Sequence, residues 1–149
     1  MLNVTKRINI VSIKLVKESS FLYQTLTISS PKDAYEMIKD QLQDLDREQS
    51  IIDCLNTKNE PTNISVVSVG TLNKAIVHPR EVFKTAILSN AASIMAFHNH
   101  PSGETTPSQQ DIQLTNRLYE AGELLSIKLL DHLIIGDGTF TSLKEKGYL

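Results

Sequence analysis

Apolar and polar positions nearly alternate over residues 7–16. Ile8 and Ile10, then Val11, Ile13 and Leu15, predict a strand with one slip in phase, as a bulge produces. Residues 22–28 predict a second strand, so residues 1–29 form an N-terminal strand extension packed on the remainder. At Ser30-Pro31-Lys32-Asp33 the pattern changes period. Ser30 suits a helix cap, Pro31 the first helical position, and Asp33 the positive end of the helix dipole. Ala34, Met37, Ile38, Leu42 and Leu45 then recur at helical spacing, with Gln41 the polar exception, and the helix is expected to end near Asp46.

Strands are predicted over 48–56 and from Ile64 to Val69, separated by a turn at Asn59-Glu60-Pro61. Gly70 ends the second of them, and a short strand is expected over Ala75–Val77. Pro79 opens a helix with Val82, Phe83, Ala86 and Ile87 on one face. Residues 92–97 are a short apolar run of the kind that forms a buried strand. A polar loop follows, then a helix from about Ser108 to Ala121 that stops at Gly122. Residues 126–135 and 139–143 form two strands joined by the turn Gly136-Asp137-Gly138. Helices and strands alternating in this way define an α/β fold, a single-domain sandwich of a mixed β-sheet flanked by helices.

The 149 residues fit one domain with a core of its own, and 40% hydrophobic with 21% charged residues suits an ordinary globule. A net charge of −2 gives no basic footprint of a dedicated nucleic-acid binder, so DNA as a partner has no support from charge. The single cysteine, Cys54, excludes an intrachain disulfide and lies in an apolar run, where it reads as a small buried hydrophobe. With no signal peptide and no apolar run near membrane-spanning length, the expected location is the cytoplasm, without membrane association.

Chemistry concentrates in His98-Asn99-His100-Pro101, which follows the apolar run 92–97, and in Asp111 beyond the loop. In extended backbone, residues i and i+2 share a face, so His98 and His100 point to the same side. A loop holding Pro101, Gly103 and Pro107 can fold back and bring Asp111 to them. Two imidazoles and a carboxylate suit zinc. Three protein ligands leave a fourth position for water, the arrangement of hydrolytic rather than structural sites. One zinc ion per chain is therefore expected, at the carboxyl end of the strand. A simpler alternative stands beside this one, because Ser108-x-x-Asp111 is also a helix capping box that requires no metal.

His98-x-His100-Pro101-x6-Ser108-x-x-Asp111 resembles the JAMM (MPN+) metalloprotease motif. Closer still is the RadC-like branch, through Leu45-Asp46-Arg47-Glu48, Gly70-Thr71-Leu72-Asn73, His78-Pro79-Arg80-Glu81, His98 to Gly103, and Asp131-His132-Leu133-Ile134-Ile135-Gly136. The resemblance runs from about Ser30 to Leu149 and implies a JAB/MPN domain of cytidine deaminase-like architecture. Full-length RadC proteins carry an N-terminal helix-hairpin-helix region. The residues before Ser30 do not resemble it, which weakens any transfer of DNA binding or DNA repair.

The resemblance further implies a zinc metallopeptidase or isopeptidase acting on a peptide or protein. In it, Glu48 is the general base and the Ser108 hydroxyl stabilises the oxyanion. A surface Glu48 in a helix–strand connection is the alternative. Glu60 and Glu81 read as structural, and Glu104 as a loop residue. His132, inside an apolar strand, reads as a satisfied core histidine or a support for a ligand. His78 reads as a helix-entry residue, and Arg80 as an ion-pair partner or a substrate contact. His98-Asn99-His100 also spells a nuclease tripeptide, but the strand–loop–helix context departs from it. The Pro-Cys-x-x-Cys of zinc deaminases is absent. A non-catalytic interaction module and a homo-oligomer are both compatible with the chain.

Overall fold

The computed structural model describes residues 4–24, 27–70 and 77–149. Residues 75–76 of the strand expected over Ala75–Val77, and most of the Gly70–Asn73 block, lie outside the described residues. The elements run α1 (Pro31–Leu42), β1 (Gln49–Leu55), β2 (Pro61–Val69), α2 (Pro79–Leu88), β3 (Ser93–Asn99), α3 (Gln109–Leu125), β4 (Lys128–Ile135) and β5 (Phe140–Ser142). The sheet order is β2-β1-β3-β4-β5. β3 and β4 run parallel and every other neighbouring pair is antiparallel, so the sheet is mixed as expected.

Side-chain alternation divides the core into two layers. Ile51 and Leu55 of β1 with Met95 and Phe97 of β3 pack beneath α1, against Ala34, Ile38 and Leu42. Ile52 and Cys54 with Ile94 and Ala96 face the other way, against Val82 and Phe83 of α2 and Leu118 of α3. The same alternation carries His98 onto the α3 side and Asn99 onto the α1 side. On β4 the register slips between Ile94/Leu129 and Met95/Asp131, so Leu130 is passed over. That irregularity re-aims the following residues, so that His132, opposite Ala96, shares the α3 face with His98 and meets its ring at 2.7 Å.

α1 begins as expected, with Ser30 Oγ accepting from Asp33 N at 3.2 Å and Pro31 in the first turn. It stops at Leu42 rather than near Asp46, because Gln43 is extended and Asp44 takes a φ of +65°. α3 passes through Gly122 and ends at Leu125, where Ser126 is left-handed. Gly122 is therefore no stop signal. A Cβ there would stand 2.4 Å from the Ile127 carbonyl oxygen, so glycine permits the close return of the chain into β4.

Two N-terminal expectations are overturned. Residues 7–16 form no strand: they have no ladder partner, and Ile8, Ile10, Val11, Ile13 and Val16 are exposed. The described part of 22–28 forms no strand either. Phe21 and Tyr23 pack on the α1 core, Ile28 is buried, and Ile28 N donates to Asn59 O at 2.9 Å. Alternation specifies which side chains share a face, but a strand exists only where a partner supplies the hydrogen bonds.

Candidate metal centre

β3 is buried along its whole length and delivers His98 and Asn99 at its carboxyl end. His100 follows as the chain leaves the sheet, its N–H donating to Ile135 O at 2.9 Å. The loop then turns through Gly103, with a φ of +87°, and packs tightly on β4. A Cβ on Gly136 would stand 2.4 Å from the Gly103 carbonyl oxygen. This contact returns the chain to α3, whose first turn holds Asp111. Across β1, Ser50 is paired with His98, which places Glu48 at the same end of the sheet.

The result is a single cluster. One ligand atom each from Glu48, His98, His100 and Asp111 lie within 4.8 Å of one another, a group that could hold a metal ion. His98 Nε2 and His100 Nε2 are 3.0 Å apart. Asp111 Oδ1 stands 3.3 Å from the first and Asp111 Oδ2 3.3 Å from the second. Donors about 2.0–2.1 Å from a shared tetrahedral ion are separated by roughly 3.3 Å, so these three fit one ion. Glu48 Oε1 is farther out, 3.9 Å from His98 Nε2.

Hydrogen bonding at the far side of each ring sets what the near side offers. His100 Nδ1 lies 2.7 Å from the carbonyl oxygen of Glu104, which can only accept, so Nδ1 carries the proton and Nε2 a lone pair. Thr115 Oγ1 donates its one hydrogen to Asp111 O at 2.7 Å, so His132 Nδ1–H donates to Thr115 Oγ1, also 2.7 Å away. The His132 ring is fully buried. Burial, then the neighbouring His98, pull its pKa down to about 3, which keeps it neutral. Its Nε2 accordingly accepts from His98 Nδ1–H at 2.7 Å, leaving His98 Nε2 bare.

Asp111 completes the convergence. Burial works against its charge, but the facing rings of His100 and His98 and the Ser108 N–H hold its carboxyl far below the usual range. On His100, burial opposes the charged form, but Asp111 outweighs it and raises the pKa. Two ring lone pairs and a carboxylate meeting at 3.0–3.3 Å require positive charge between them, from a proton or a metal ion.

The capping box is present together with the cluster. Ser108 Oγ accepts from Asp111 N at 3.1 Å, and Ser108 N donates to Asp111 Oδ2 at 2.8 Å. Asp111 thus caps α3 and faces the histidines with the same carboxylate. The other glutamates lie apart from the cluster. Glu60 accepts from Asn56 Nδ2, Glu81 pairs with Lys84 at 3.0 Å, and Glu104 contributes its carbonyl rather than its carboxylate. His78 is the residue before α2, and the Arg80 side chain is exposed, 3.9 Å from Glu81.

Two contributors have no counterpart in the motif reasoning. Thr115 lies one helical turn beyond Asp111, a spacing that places both on one face and could have revealed it. Asn99 is buried on the face opposite to the histidines. Its Oδ1 accepts from Gln49 N at 2.7 Å and its Nδ2 donates to Arg47 O at 3.0 Å, clamping the backbone on both sides of Glu48.

Fold and site together define an α/β domain with a candidate metal centre at the carboxyl end of a buried strand. The sequence model of the RadC-like JAB domain family matches residues 28–148, and the chain belongs to that family. Among its relatives is a UPF0758 protein of Desulforamulus reducens, 53% identical over 122 residues, which are 82% of this chain and 54% of the relative. The UPF0758 protein YsxA of Bacillus subtilis is 49% identical over 136 residues, 91% of this chain and 57% of the relative. One from Methanosarcina mazei is 49% identical over 122 residues, 82% and 53% of the two lengths. The chain therefore spans about half the length of the curated relatives it matches. No helix among the described residues is long and apolar enough to cross a membrane.

Proposed function

We propose that this domain is a zinc-dependent hydrolase that cleaves an amide bond in a peptide or protein, as a metallopeptidase or isopeptidase. The observation that carries the reading is the convergence of His98 Nε2, His100 Nε2 and the Asp111 carboxylate, with Glu48 beside them. In this reading His98, His100 and Asp111 hold the ion. Zinc bound there supplies a Lewis acid and brings the pKa of a water to about 7.

In this reading Glu48, 3.9 Å from His98 Nε2, takes a proton from the attacking water and passes it to the leaving nitrogen, a role its nearness to the cluster supports. Asn99 holds the backbone that carries it. Ser108, at the start of α3, is assigned the donor to the developing oxyanion, a role in which one hydrogen bond is worth about 2.7–4 kcal/mol. Thr115 and His132 hold the His98 ring in the tautomer that presents Nε2.

Metal analysis of the purified protein tests the centre. The expected result is one zinc per chain in wild type and none above background in His98→Ala. Zinc-free wild type after incubation with the ion would end the reading. Glu48→Ala is expected to retain zinc while losing hydrolysis of isopeptide-linked and linear peptide substrates; full turnover in that variant would remove Glu48 from its role.

A further inference from the structure

The sheet ends at β2, whose outer edge pairs with no described residue. β2 is nine residues long and contains no charged side chain, and Val66 and Val69 stand 52% and 54% exposed upon it. Natural edge strands are normally blunted by charge, proline, shortness or a cover, because an open apolar edge recruits another strand. Its opening proline and two β-bulges in its pairing with β1 are the only such devices among the described residues.

The same chain carries a segment of complementary kind. Residues 7–16 have strand periodicity and no proline, and their apolar side chains lie in solvent, Ile10 wholly so at 101%. Monomeric domains rarely leave so many neighbouring apolar side chains, here Ile8, Ile10, Val11, Ile13, Leu15 and Val16, uncovered. Its charge is complementary as well. Lys6, Arg7, Lys14 and Lys17 against Glu18 give residues 1–18 a charge of +3, so within the net −2 the rest of the chain carries −5.

The segment's own β2 is separated from it by a groove. Residues 15–21 form one wall and Pro61–Val66 the other, around a cavity of about 850 Å³. Asp53 also lines this groove. It is wholly buried, and neither of its carboxyl oxygens has a hydrogen-bond partner among the described residues. A strand entering the groove would bring backbone N–H groups to the β2 edge and ammonium donors towards Asp53.

We propose that residues 7–16 form an exchange arm that adds as a strand to the β2 edge of a second copy of this chain, the second copy's arm adding to β2 of the first. Mutual exchange covers both apolar arms and both open edges by one two-fold operation, the closed arrangement favoured among homodimers. Each arm enters as an extended strand and gains its ladder bonds from an existing edge. The sequence periodicity of residues 7–16 is then satisfied between chains rather than within one.

Light scattering coupled to size exclusion on the full chain tests the arm. The expected mass is about 33 kDa, twice the 16.6 kDa of one chain. The double variant Ile10→Asp, Ile13→Asp should run at the monomer mass with its helical circular dichroism signal and cooperative unfolding retained, since both side chains are exposed in the single chain. Ile13→Cys protein mixed with Val66→Cys protein should form a disulfide-linked heterodimer on oxidation; the native Cys54 is buried. A wild-type monomer at all concentrations overturns the proposal, as does a dimer untouched by the aspartates. A chain carrying both cysteines that closes an intrachain disulfide at monomer mass overturns it in favour of the arm folding onto its own edge. Arm-dependent binding of a monomer to anionic vesicles or to duplex DNA overturns it in favour of those partners.

Discussion

Asn99 and Gln49, fifty positions apart, are joined by a 2.7 Å hydrogen bond from the Gln49 backbone N–H to the Asn99 side-chain oxygen. Its other side-chain group donates to Arg47 O, so the side chain between the two histidines fixes the backbone on either side of Glu48. One stretch of β3 thus serves both parts of the candidate centre, the ring nitrogens on one face and the placement of Glu48 on the other.

Truncation of that clamp separates the two parts. Asn99→Ala leaves a half-buried N–H and a carbonyl without their partner, which costs about 1 kcal/mol of stability. His98 and His100 keep their own partners, so zinc content is expected to stay at the wild-type level. Urea denaturation and metal analysis of one preparation check this. Lost zinc at unaltered stability would contradict the clamp.

The chain Thr115–His132–His98 orients a ring nitrogen. Removing such a support typically weakens metal binding about 10–100-fold. Thr115→Val keeps the volume but removes the oxygen that faces His132 Nδ1, and His132→Phe removes the acceptor for His98. Both variants are expected to lose zinc to a chelator at lower chelator concentration than wild type. Equal retention in both would show that the tautomer of His98 is set elsewhere.

Asp53 links pH to stability. Burial pushes its carboxyl from the ordinary 3.8 up to about 8. Between these values the unfolded chain has released the proton and the folded chain retains it. The folded state thus binds more protons, and this contribution is fully present below about pH 4. It falls by at most about 1.4 kcal/mol per unit as pH rises, and levels off above about pH 8. Asp53→Asn should show a shallower decline in melting temperature from pH 5 to 8 than wild type, whatever its starting stability. Parallel curves for the two proteins would refute the assignment.

Gly136 holds the loop between His100 and Asp111 against β4. Alanine there would press on the Gly103 carbonyl oxygen at 2.4 Å and the Thr105 methyl at 2.6 Å, contacts that backbone must move to relieve. The expected cost is about 1–3 kcal/mol together with weaker zinc retention, because the displaced loop carries one ligand at each end. Calorimetry with and without added zinc measures both. A variant as stable and as zinc-retentive as wild type would show that the loop has slack.

Much of this was legible in the one-dimensional pattern. Local signals fix helix starts, so Ser30-Pro31 and the Ser108-x-x-Asp111 box locate α1 and α3 from a few adjacent residues. The apolar runs of β1, broken by Asp53, and of β3 identify central strands, since both of their faces are covered. Spacing also set His98 and His100 on one side and offered Asp111 as their companion, whereas Glu48 entered only through the family resemblance. Helix ends were less legible, because Gln43 and Gly122 depend on where the next strand lies.

What only the tertiary structure decided is which long-range partner each polar group meets. The support of His132 by Thr115, the hold of Asn99 around Glu48 and the unpartnered carboxyl of Asp53 arise from register between strands far apart in sequence. One passed-over residue in β4 determines which face His132 takes. The N-terminal arm shows the same limit from the other side. Its alternation determines that one face can be buried, but pairing requires an edge, and the edge it meets is set by packing rather than by the arm's own residues.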